Sequence, residues 1–259
     1  MGNDRRHFLA GGTAAALAAM AATGARGRVL ASSQSPRRVK AVAFDGFPII
    51  DPQPVARRAE ELFPGKGDAL MAAWRTRQFE YTWLRTLSGH YEDFWNTTQD
   101  ALVFATTSLG LPLNGETREK LMGTFLELKA WSDAPAALEA LRSAGVRMAF
   151  LSNFTARMLD AAVSNSGLGG FFEPHLSTDR VRAYKPDPRA YTMGLKAFHA
   201  SREDIVFCAS AGWDAAGARL FGYRSFWVNR ANQPAEELGA KPDGIGSGLA
   251  DLVKFVLAA

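Results

Sequence analysis

The stretch VKAVAFDGFPIID, Val39 to Asp51, decides the fold that this chain is expected to adopt. Its first six residues are mostly apolar, and a short apolar run bounded by turn residues is typical of a buried strand. This strand would carry a carboxylate, Asp45, at its carboxyl end. Ligands of open parallel sheets bind beyond the carboxyl ends of the strands. Asp45 is therefore the first candidate functional residue, and the aromatic residue two positions later, Phe47, has to be explained with it.

Four further strand-like runs follow this stretch, and helical patterns separate most of them. The expected strands cover residues 146–153, 175–178, 204–210 and 224–229, and the expected helices cover residues 134–145, 155–167, 187–198 and 214–222. Strands that alternate with helices in this way predict an α/β fold with a Rossmann-like parallel sheet flanked by helices.

The segment 54–129 interrupts the alternation, because it contains amphipathic helical patterns and no good strand. Three such patterns cover residues 68–87, 91–110 and 116–128. We therefore expect residues 36–53 and 130–259 to form the α/β core, and residues 54–129 to form an inserted helical cap over the edge of the sheet where Asp45 lies.

Residues 1–35 are expected to lie outside the fold, as a signal peptide and linker. Arg5 and Arg6 are followed by Phe8, Leu9 and a weakly apolar Ala/Gly run, a pattern that resembles a twin-arginine export signal. The run is too short and too rich in glycine and alanine to be a good membrane-spanning helix. A basic tail without regular structure is the alternative. The expected location of the mature protein is the periplasm.

The charge and cysteine content narrow the possible partners. The 259 residues carry a net charge of +4, and the basic residues are dispersed, whereas a nucleic-acid face needs a clustered stripe. We expect no nucleic-acid partner and, after the leader, no membrane segment. Cys208 is the only cysteine, so no intrachain disulfide can form.

Four short motifs lie at or shortly after the predicted strand ends. They hold Asp45, the pair Ser152 and Asn153, Lys185 with Tyr191 six residues later, and the segment Ser210 to Asp214 with Trp213. Each alone has a structural explanation, since Asp is a common helix cap, Ser-Asn is a common turn and a loop lysine is usually solvated. Their shared position at one edge of the sheet makes the combination far more specific.

In this order, the motifs resemble the nucleophilic Asp, the Ser, the Lys and the late Asp of the haloacid dehalogenase superfamily. Within it, the chain from Val39 onward is similar to the L-2-haloacid dehalogenases, and WRTRQFEYTWLRTLSGHYEDF, residues 74–94, resembles their cap helices over its whole length. The segments LSN, YKPD and WDAAGA support the resemblance. It implies hydrolysis of a short 2-haloacid to a 2-hydroxyacid without a metal or other cofactor. Family members are often dimeric, so the resemblance leaves a homodimer open.

The resemblance also implies a role for each candidate residue. Asp45 would attack C2 of the substrate and form an ester, Lys185 would position Asp45, Arg75 would receive the halide and Asp214 would activate water. The residues expected to contact the substrate are Ser152, Asn153, Tyr191 and Ser210, together with an apolar wall of Phe47, Phe79, Phe94 and Trp213. Arg75 and Lys185 are both expected at a solvent-accessible cleft. For Arg75, which shares a helix face with Phe79, an outward surface ion pair is the alternative.

Phe47 distinguishes this interpretation from the phosphatase branch of the superfamily. There, a second acid two residues after the nucleophile protonates the leaving group, and Mg²⁺ is bound nearby. An aromatic side chain cannot transfer a proton, but displacement of a halide from carbon needs no leaving-group proton. The sequence therefore favours carbon chemistry, with a Mg²⁺-dependent phosphatase as an alternative.

Three positions depart from the pattern of the resembled family. Ile49 stands where that family has threonine, and Ala209 and Ala211 stand where it typically has the serine and asparagine that help to orient water. Isoleucine and alanine side chains cannot form hydrogen bonds. We expect ester formation to be better supported than ester hydrolysis, and a catalytically weakened protein that binds a small carboxylate is the third hypothesis.

Overall fold

The structure is a computed structural model, and it describes residues 38–258. These residues form one six-stranded sheet with the order β3-β2-β1-β4-β5-β6, in which every neighbouring pair is parallel. The strands are β1 (Ala41–Phe44), β2 (Arg147–Ser152), β3 (Leu176–Ser177), β4 (Ile205–Ala209), β5 (Arg224–Val228) and β6 (Gly244–Gly246). The expected α/β fold with a parallel sheet is confirmed, and β1 lies at its centre between β2 and β4.

Ten α-helices accompany the sheet within the described residues. They are α1 (Gly46–Ile49), α2 (Gln53–Leu62), α3 (Gly67–Ser88), α4 (Phe94–Ser108), α5 (Gly115–Thr124), α6 (Ala134–Ser143), α7 (Ala156–Asn165), α8 (Pro188–Phe198), α9 (Gly212–Phe221) and α10 (Leu249–Leu257). Several begin where the sequence supplies a capping side chain: Asp93, Asn114 and Thr155 accept hydrogen bonds from backbone N–H groups in the first turns of α4, α5 and α7. None of the helices between residues 38 and 258 is long and apolar enough to cross a membrane.

The two faces of the sheet bury two separate sets of side chains, because successive strand residues point to opposite faces. In β4, Val206 and Cys208 belong to a large core that includes α6, α7 and the helices α2 to α5. Phe207 and Ala209 belong to the second core, which α8 and α9 cover. This alternation decides which residues at the end of β4 can reach the site.

The helices α2 to α5 follow one another directly, and the chain then returns to the place where it left the sheet. Asp51 N donates a hydrogen bond to Lys129 O over 2.8 Å, and Trp131 N donates to Ile49 O over 2.9 Å. The two ends of the helical segment thus form a single antiparallel β-bridge, between Ile50 and Ala130, beside α1. This pairing holds the helical segment α2 to α5 close to Asp45, the residue that follows β1.

Two elements at the edge of the sheet were not predicted from the sequence, β6 and α10. The β6 segment has only three residues and two of them are glycine, so it shows no apolar alternation. Gly244 is required by packing: a Cβ there would lie 2.6 Å from the ring of Phe226. The expected leader, residues 1–35, lies outside the described residues.

Candidate active site

The candidate site lies at the carboxyl end of the sheet, where three neighbouring strands, one loop and one helix deliver polar side chains. Asp45 follows β1, Ser152 ends β2 and Ser210 follows β4. Lys185 comes from the loop before α8, and Asp214 lies in the first turn of α9. All five residues line one small cavity.

The centre of the site is a buried ammonium group between two carboxylates. Lys185 Nζ lies 2.8 Å from Asp45 Oδ1 and 2.5 Å from Asp214 Oδ2. The side chains of Lys185 and Asp214 are 1% and 2% exposed, and that of Asp45 is 13% exposed. Of these three charged side chains, Asp45 is therefore the one most accessible from the cavity.

Burial and charge act in opposite directions on these groups. Burial raises the pKa of Asp214 to about 6, although the ammonium of Lys185 opposes the rise. Burial alone would lower the pKa of Lys185, but the two carboxylates outweigh it and the net pKa is raised. Lys185 is therefore charged at neutral pH, and Asp214 is mostly ionised but titrates close to it.

The two oxygens of Asp45 are held differently. Oδ1 accepts a hydrogen bond from Lys185 Nζ and one from Ser152 Oγ over 3.3 Å. Oδ2 accepts from Phe47 N over 3.4 Å, in the first turn of α1. Oδ2 is the less engaged oxygen, and an oxygen with fewer hydrogen bonds keeps more of its charge available for attack.

Ser152 and Asn153 differ in what they can still offer a ligand. The Ser152 hydroxyl is buried and directs its single proton to Asp45, while it accepts from Phe154 N over 3.2 Å. Asn153 Oδ1 accepts from Lys185 N over 3.1 Å, which leaves its amide NH₂ group as the donor of the pair. Both residues line the cavity as predicted, but Ser152 contacts the candidate nucleophile.

Tyr191 does not line the cavity, in contrast to the prediction that it would contact substrate. Its ring is fully buried in the second core, and its hydroxyl donates to Asp214 Oδ1 over 2.7 Å. Tyr191 therefore lies behind Asp214 and fixes the orientation of that carboxylate. The six-residue spacing from Lys185 correctly indicated proximity to the site but not the side of Asp214 on which the ring lies.

Aromatic side chains enclose the rest of the cavity. The predicted wall residues Phe47, Phe79, Phe94 and Trp213 all line it, and Phe154, which the sequence analysis did not single out, completes it. The Phe154 ring lies 5.0 Å from Phe47 and 5.4 Å from Phe94. The cavity itself is narrow, with a volume of about 20 Å³.

Arg75 comes from α3 and lines the mouth of the cavity. Its guanidinium carbon lies 5.8 Å from the centre of the Phe79 ring, four residues further along the same helix face. The alternative position, in a surface ion pair, is not observed among the described residues. Its cationic head is thus free to meet an anion above Asp45.

The three positions that depart from the family pattern have different surroundings. Ala211 lines the cavity, whereas Ala209 points into the second core, and Ile49 is fully buried in the first. Only the Ala211 methyl group therefore faces the space that a ligand or water would occupy. The ammonium group of Lys185 occupies the space between Asp45 and Asp214, where a metal ion would otherwise lie. Within residues 38–258, no group of three His, Cys, Asp or Glu side chains is suited to hold a metal ion.

Comparison with known proteins places this geometry among haloacid dehalogenases. Residues 39–222 match the model of the haloacid dehalogenase-like hydrolases. An (S)-2-haloacid dehalogenase of Pseudomonas sp. strain YL is 42% identical over 206 residues, which is 79% of this chain and 89% of the relative. A crystal structure of an L-2-haloacid dehalogenase has a TM-score of 0.83 and 41% identity, and the match covers 85% of this chain and 99% of the other.

A second solved structure has a bound substrate-derived group. The L-2-haloacid dehalogenase of Xanthobacter autotrophicus, solved with chloropropionic acid covalently bound, is 32% identical with a TM-score of 0.77. The match covers 85% of this chain and 98% of that chain.

Proposed function

Because the chain belongs to the haloacid dehalogenase-like hydrolase family, we propose that it hydrolyses short 2-haloacids to 2-hydroxyacids through an ester on Asp45. The observation that carries this proposal is Asp45 itself, a partly exposed carboxylate held by Lys185 in a cavity with aromatic walls. Relatives at 36–42% identity are (S)-2-haloacid dehalogenases, and a related structure carries covalently bound chloropropionic acid.

In the first step, Asp45 Oδ2 attacks C2 of the substrate as the carbon–halogen bond breaks. The bonding pair leaves with the halide, which departs toward the guanidinium of Arg75. Lys185 and Ser152 hold Oδ1 and so fix the direction of the attacking oxygen. The amide of Asn153 binds the substrate carboxylate. Aromatic rings keep water away, which strengthens every charge interaction within the cavity.

In the second step, water attacks the carboxyl carbon of Asp45 and the bond from this carbon to Oδ2 breaks. Oδ2 leaves as the hydroxyl of the 2-hydroxyacid when Asp214 returns the proton that it took from water. Asp214 accepts the proton from water, since its raised pKa brings it close to the range suited to a general base. Tyr191 holds its Oδ1 and Lys185 contacts its Oδ2, so the carboxylate is fixed on both sides. The oxygen supplied by water remains on Asp45, while the original Asp45 oxygen departs in the product.

Halide release from 2-chloropropionate by the purified protein tests this proposal. We expect release that persists with a chelator, and in a single turnover in H₂¹⁸O we expect one labelled oxygen in the peptide that contains Asp45. Asp45→Asn should abolish both signals, because an amide is a far weaker nucleophile than a carboxylate. Normal release by a fresh Asp45→Asn preparation would disprove the role of Asp45. Phosphate release from phosphate monoesters that needs Mg²⁺, without halide release, would favour the phosphatase hypothesis instead.

Ala211 supports a second candidate function, a protein that forms the ester but hydrolyses it slowly. A methyl group lines the cavity at this position and cannot hold water by a hydrogen bond. Loss of one positioning group costs about 2.7–4 kcal/mol at the transition state. We therefore expect a burst of halide near one equivalent followed by a slower phase, which Ala211→Asn accelerates. A linear trace in rapid-quench measurements would show that hydrolysis does not limit turnover.

Apolar side chains exposed on the helical segment support association into a homodimer. Leu84 and Leu87 share one face of α3 and are 57% and 84% exposed, and Val103 and Phe104 of α4 are 40% and 41% exposed. Exposed apolar side chains on two packed helices are candidates for an interaction site. Sedimentation should give a dimer that Leu87→Glu converts to a monomer, and a monomeric wild-type protein at every concentration would refute the dimer.

The amino-terminal arginine pair supports export. Arg5 and Arg6 stand before a weakly apolar run, and Arg side chains are recognised as a pair by the twin-arginine pathway. The leader directs the folded protein to the periplasm and is then removed.

A further inference from the structure

The one-turn helix α1 joins the candidate nucleophile to side chains outside the cavity. Asp45 caps α1, and its Oδ2 accepts from Phe47 N over 3.4 Å. The carbonyl oxygen of the same residue, Phe47, accepts a hydrogen bond from Trp131 Nε1 over 3.0 Å. The backbone of Phe47 thus lies between Asp45 and an indole that does not line the cavity.

A second contact reaches the next carbonyl of α1. Arg230 Nη2 donates to Pro48 O over 3.4 Å, and the guanidinium carbon lies 4.6 Å from the centre of the Trp131 ring. The same Nη2 lies 2.8 and 3.0 Å from the two oxygens of Asp133. Asp133 also accepts from Leu249 N at the start of α10 over 2.9 Å. Through Asp133, the Arg230 side chain that contacts α1 is thus connected to the start of α10.

Helix α1 needs these external contacts because its own residues supply few stabilising hydrogen bonds. A helix of one turn is unstable alone, since nucleation fixes several dihedral angles for one hydrogen bond. Pro48 has no N–H group, and the buried side chain of Ile49 cannot form a hydrogen bond. Ile50 N donates to Gly46 O over 2.9 Å and closes the turn from within. The Ile49 carbonyl accepts from the backbone N–H of Trp131, and the carbonyl groups of Phe47 and Pro48 are the two that side chains hold.

We propose that Trp131 and Arg230 are positioning residues, which hold α1 by these two carbonyl groups and thereby fix Asp45 and Phe47 for attack on the substrate. The reaction they serve is the proposed dehalogenation, so this inference rests on that function. Attack on carbon requires the oxygen within a narrow range of distance and angle, so a small displacement of Asp45 slows the step without weakening binding.

Trp131→Phe tests the inference, because it removes the N–H donor and keeps a ring beneath Arg230. We expect the rate of the halide burst to fall by about tenfold, while the substrate concentration for half-maximal burst rate changes by less than about twofold. We also expect faster hydrogen exchange in the peptide that covers residues 45–51. Trp95→Phe is the matched control, since Trp95 lies on α4 with the Arg157 guanidinium over its ring, and it should leave both readouts unchanged.

The outcomes separate this inference from the proposed function. A folded Trp131→Phe protein with normal burst rate and normal exchange would overturn the positioning role. If Trp131→Phe does not fold, Arg230→Lys decides, because lysine keeps the charge but loses the planar guanidinium. A slower burst and faster exchange support the proposal, and wild-type values overturn it. If the wild-type protein releases no halide, the proposed function fails, and the exchange measurement alone decides whether Trp131 holds α1.

Discussion

At the residue scale, Lys185 determines the electrostatics of the site. From the sequence, this lysine was expected at a solvent-accessible cleft, but its side chain is buried and only 1% exposed. The sequence could not indicate this, because the two carboxylates that compensate the burial are 140 and 29 residues away. Arg75, by contrast, lies at the exposed mouth, as expected. Substitution of Lys185 and substitution of Arg75 should therefore have different effects on the stability of the protein.

We predict that Lys185→Met lowers both activity and stability, whereas Arg75→Ala lowers activity alone. Loss of one partner from a buried ion pair typically costs about 3–5 kcal/mol, because the remaining charges have no compensation. Either substitution should lower halide release by at least about a hundredfold, the scale of one lost electrostatic partner. Urea unfolding and halide assays measure the two effects. Equal stability of the two variants would contradict the buried placement of Lys185.

A second prediction concerns the pH dependence of ester hydrolysis. Asp214 must be ionised to accept a proton, so the rate should fall as the pH falls through its pKa, which is about 6 in the free protein. In the ester, Asp45 has lost the charge that helps to raise this pKa, so the midpoint of the slow phase should lie below about 6. Rapid-quench rates between pH 4 and 8 measure it. A flat profile would exclude Asp214 as the base.

The same scale shows which site residues could be predicted. Asp45, Ser152 and Ser210 were found because strand ends converge in any parallel sheet. Phe154 carried only a weak signal, an aromatic residue directly after LSN. The contact of Trp131 with Phe47 O spans 84 residues and left no local pattern. Reactive side chains at strand ends can thus be predicted from the sequence, whereas the distant side chains that position them cannot.

At the element scale, the loop that carries Lys185 is joined to the connection between α3 and α4. The Tyr91 hydroxyl donates to the Asp179 carboxylate, and the two aromatic rings of Tyr91 and Tyr184 lie 4.9 Å apart. Tyr184 OH donates to Glu92 O over 2.6 Å, and Tyr184 N donates to Thr86 Oγ1 over 3.0 Å. Residue 184 directly precedes Lys185, so the position of this connection affects the lysine.

We predict that Tyr91→Phe lowers the free energy of unfolding and slows ester formation. Burial already raises the pKa of Asp179, and the Tyr91 hydrogen bond opposes that rise. Its removal takes one hydrogen bond from a half-buried carboxylate, and a hydrogen bond to a charged group contributes about 1.5–3 kcal/mol. Tyr81→Phe, on the α3 surface, is the matched control and should change neither quantity. Urea unfolding and burst rates provide the readouts, and identical behaviour of the two variants would show that the Tyr91–Asp179 contact is unimportant.

The element predictions were accurate for several strong local patterns, although the amphipathic helix α10 was missed despite its pattern. The run 204–210 predicted β4 at Ile205–Ala209, and the long pattern 68–87 predicted α3 at Gly67–Ser88. The short elements α1 and β6 were missed, because a turn with a proline and a strand of three residues have no periodicity to detect. Contacts with distant parts of the chain contribute to the stability of both.

At the scale of the whole molecule, the fold requires no oxidation to form. Cys208 lies fully buried in β4, and burial together with the nearby charge of Asp45 raises the pKa of its thiol well above the usual range. The thiol is therefore unreactive, and the chain can complete its fold in a reducing compartment. Such a protein would suit a route that exports folded cargo, which is the route proposed from Arg5 and Arg6.

We predict that export depends on the arginine pair of the leader. Arg5→Lys with Arg6→Lys keeps the charge but removes the two guanidinium groups, whose planar geometry a lysine cannot reproduce. The uncleaved protein should then accumulate in the cytoplasm, in a folded and active form, because the substitutions lie outside residues 38–258. Arg57→Lys with Arg58→Lys, a matched pair on α2, should leave export normal. Fractionation with detection of the cleaved form measures the result. Normal periplasmic accumulation of the Arg5 and Arg6 variant would show that the pair is not read as a signal, and cytoplasmic retention of both variants would point to a general effect of basic residues instead.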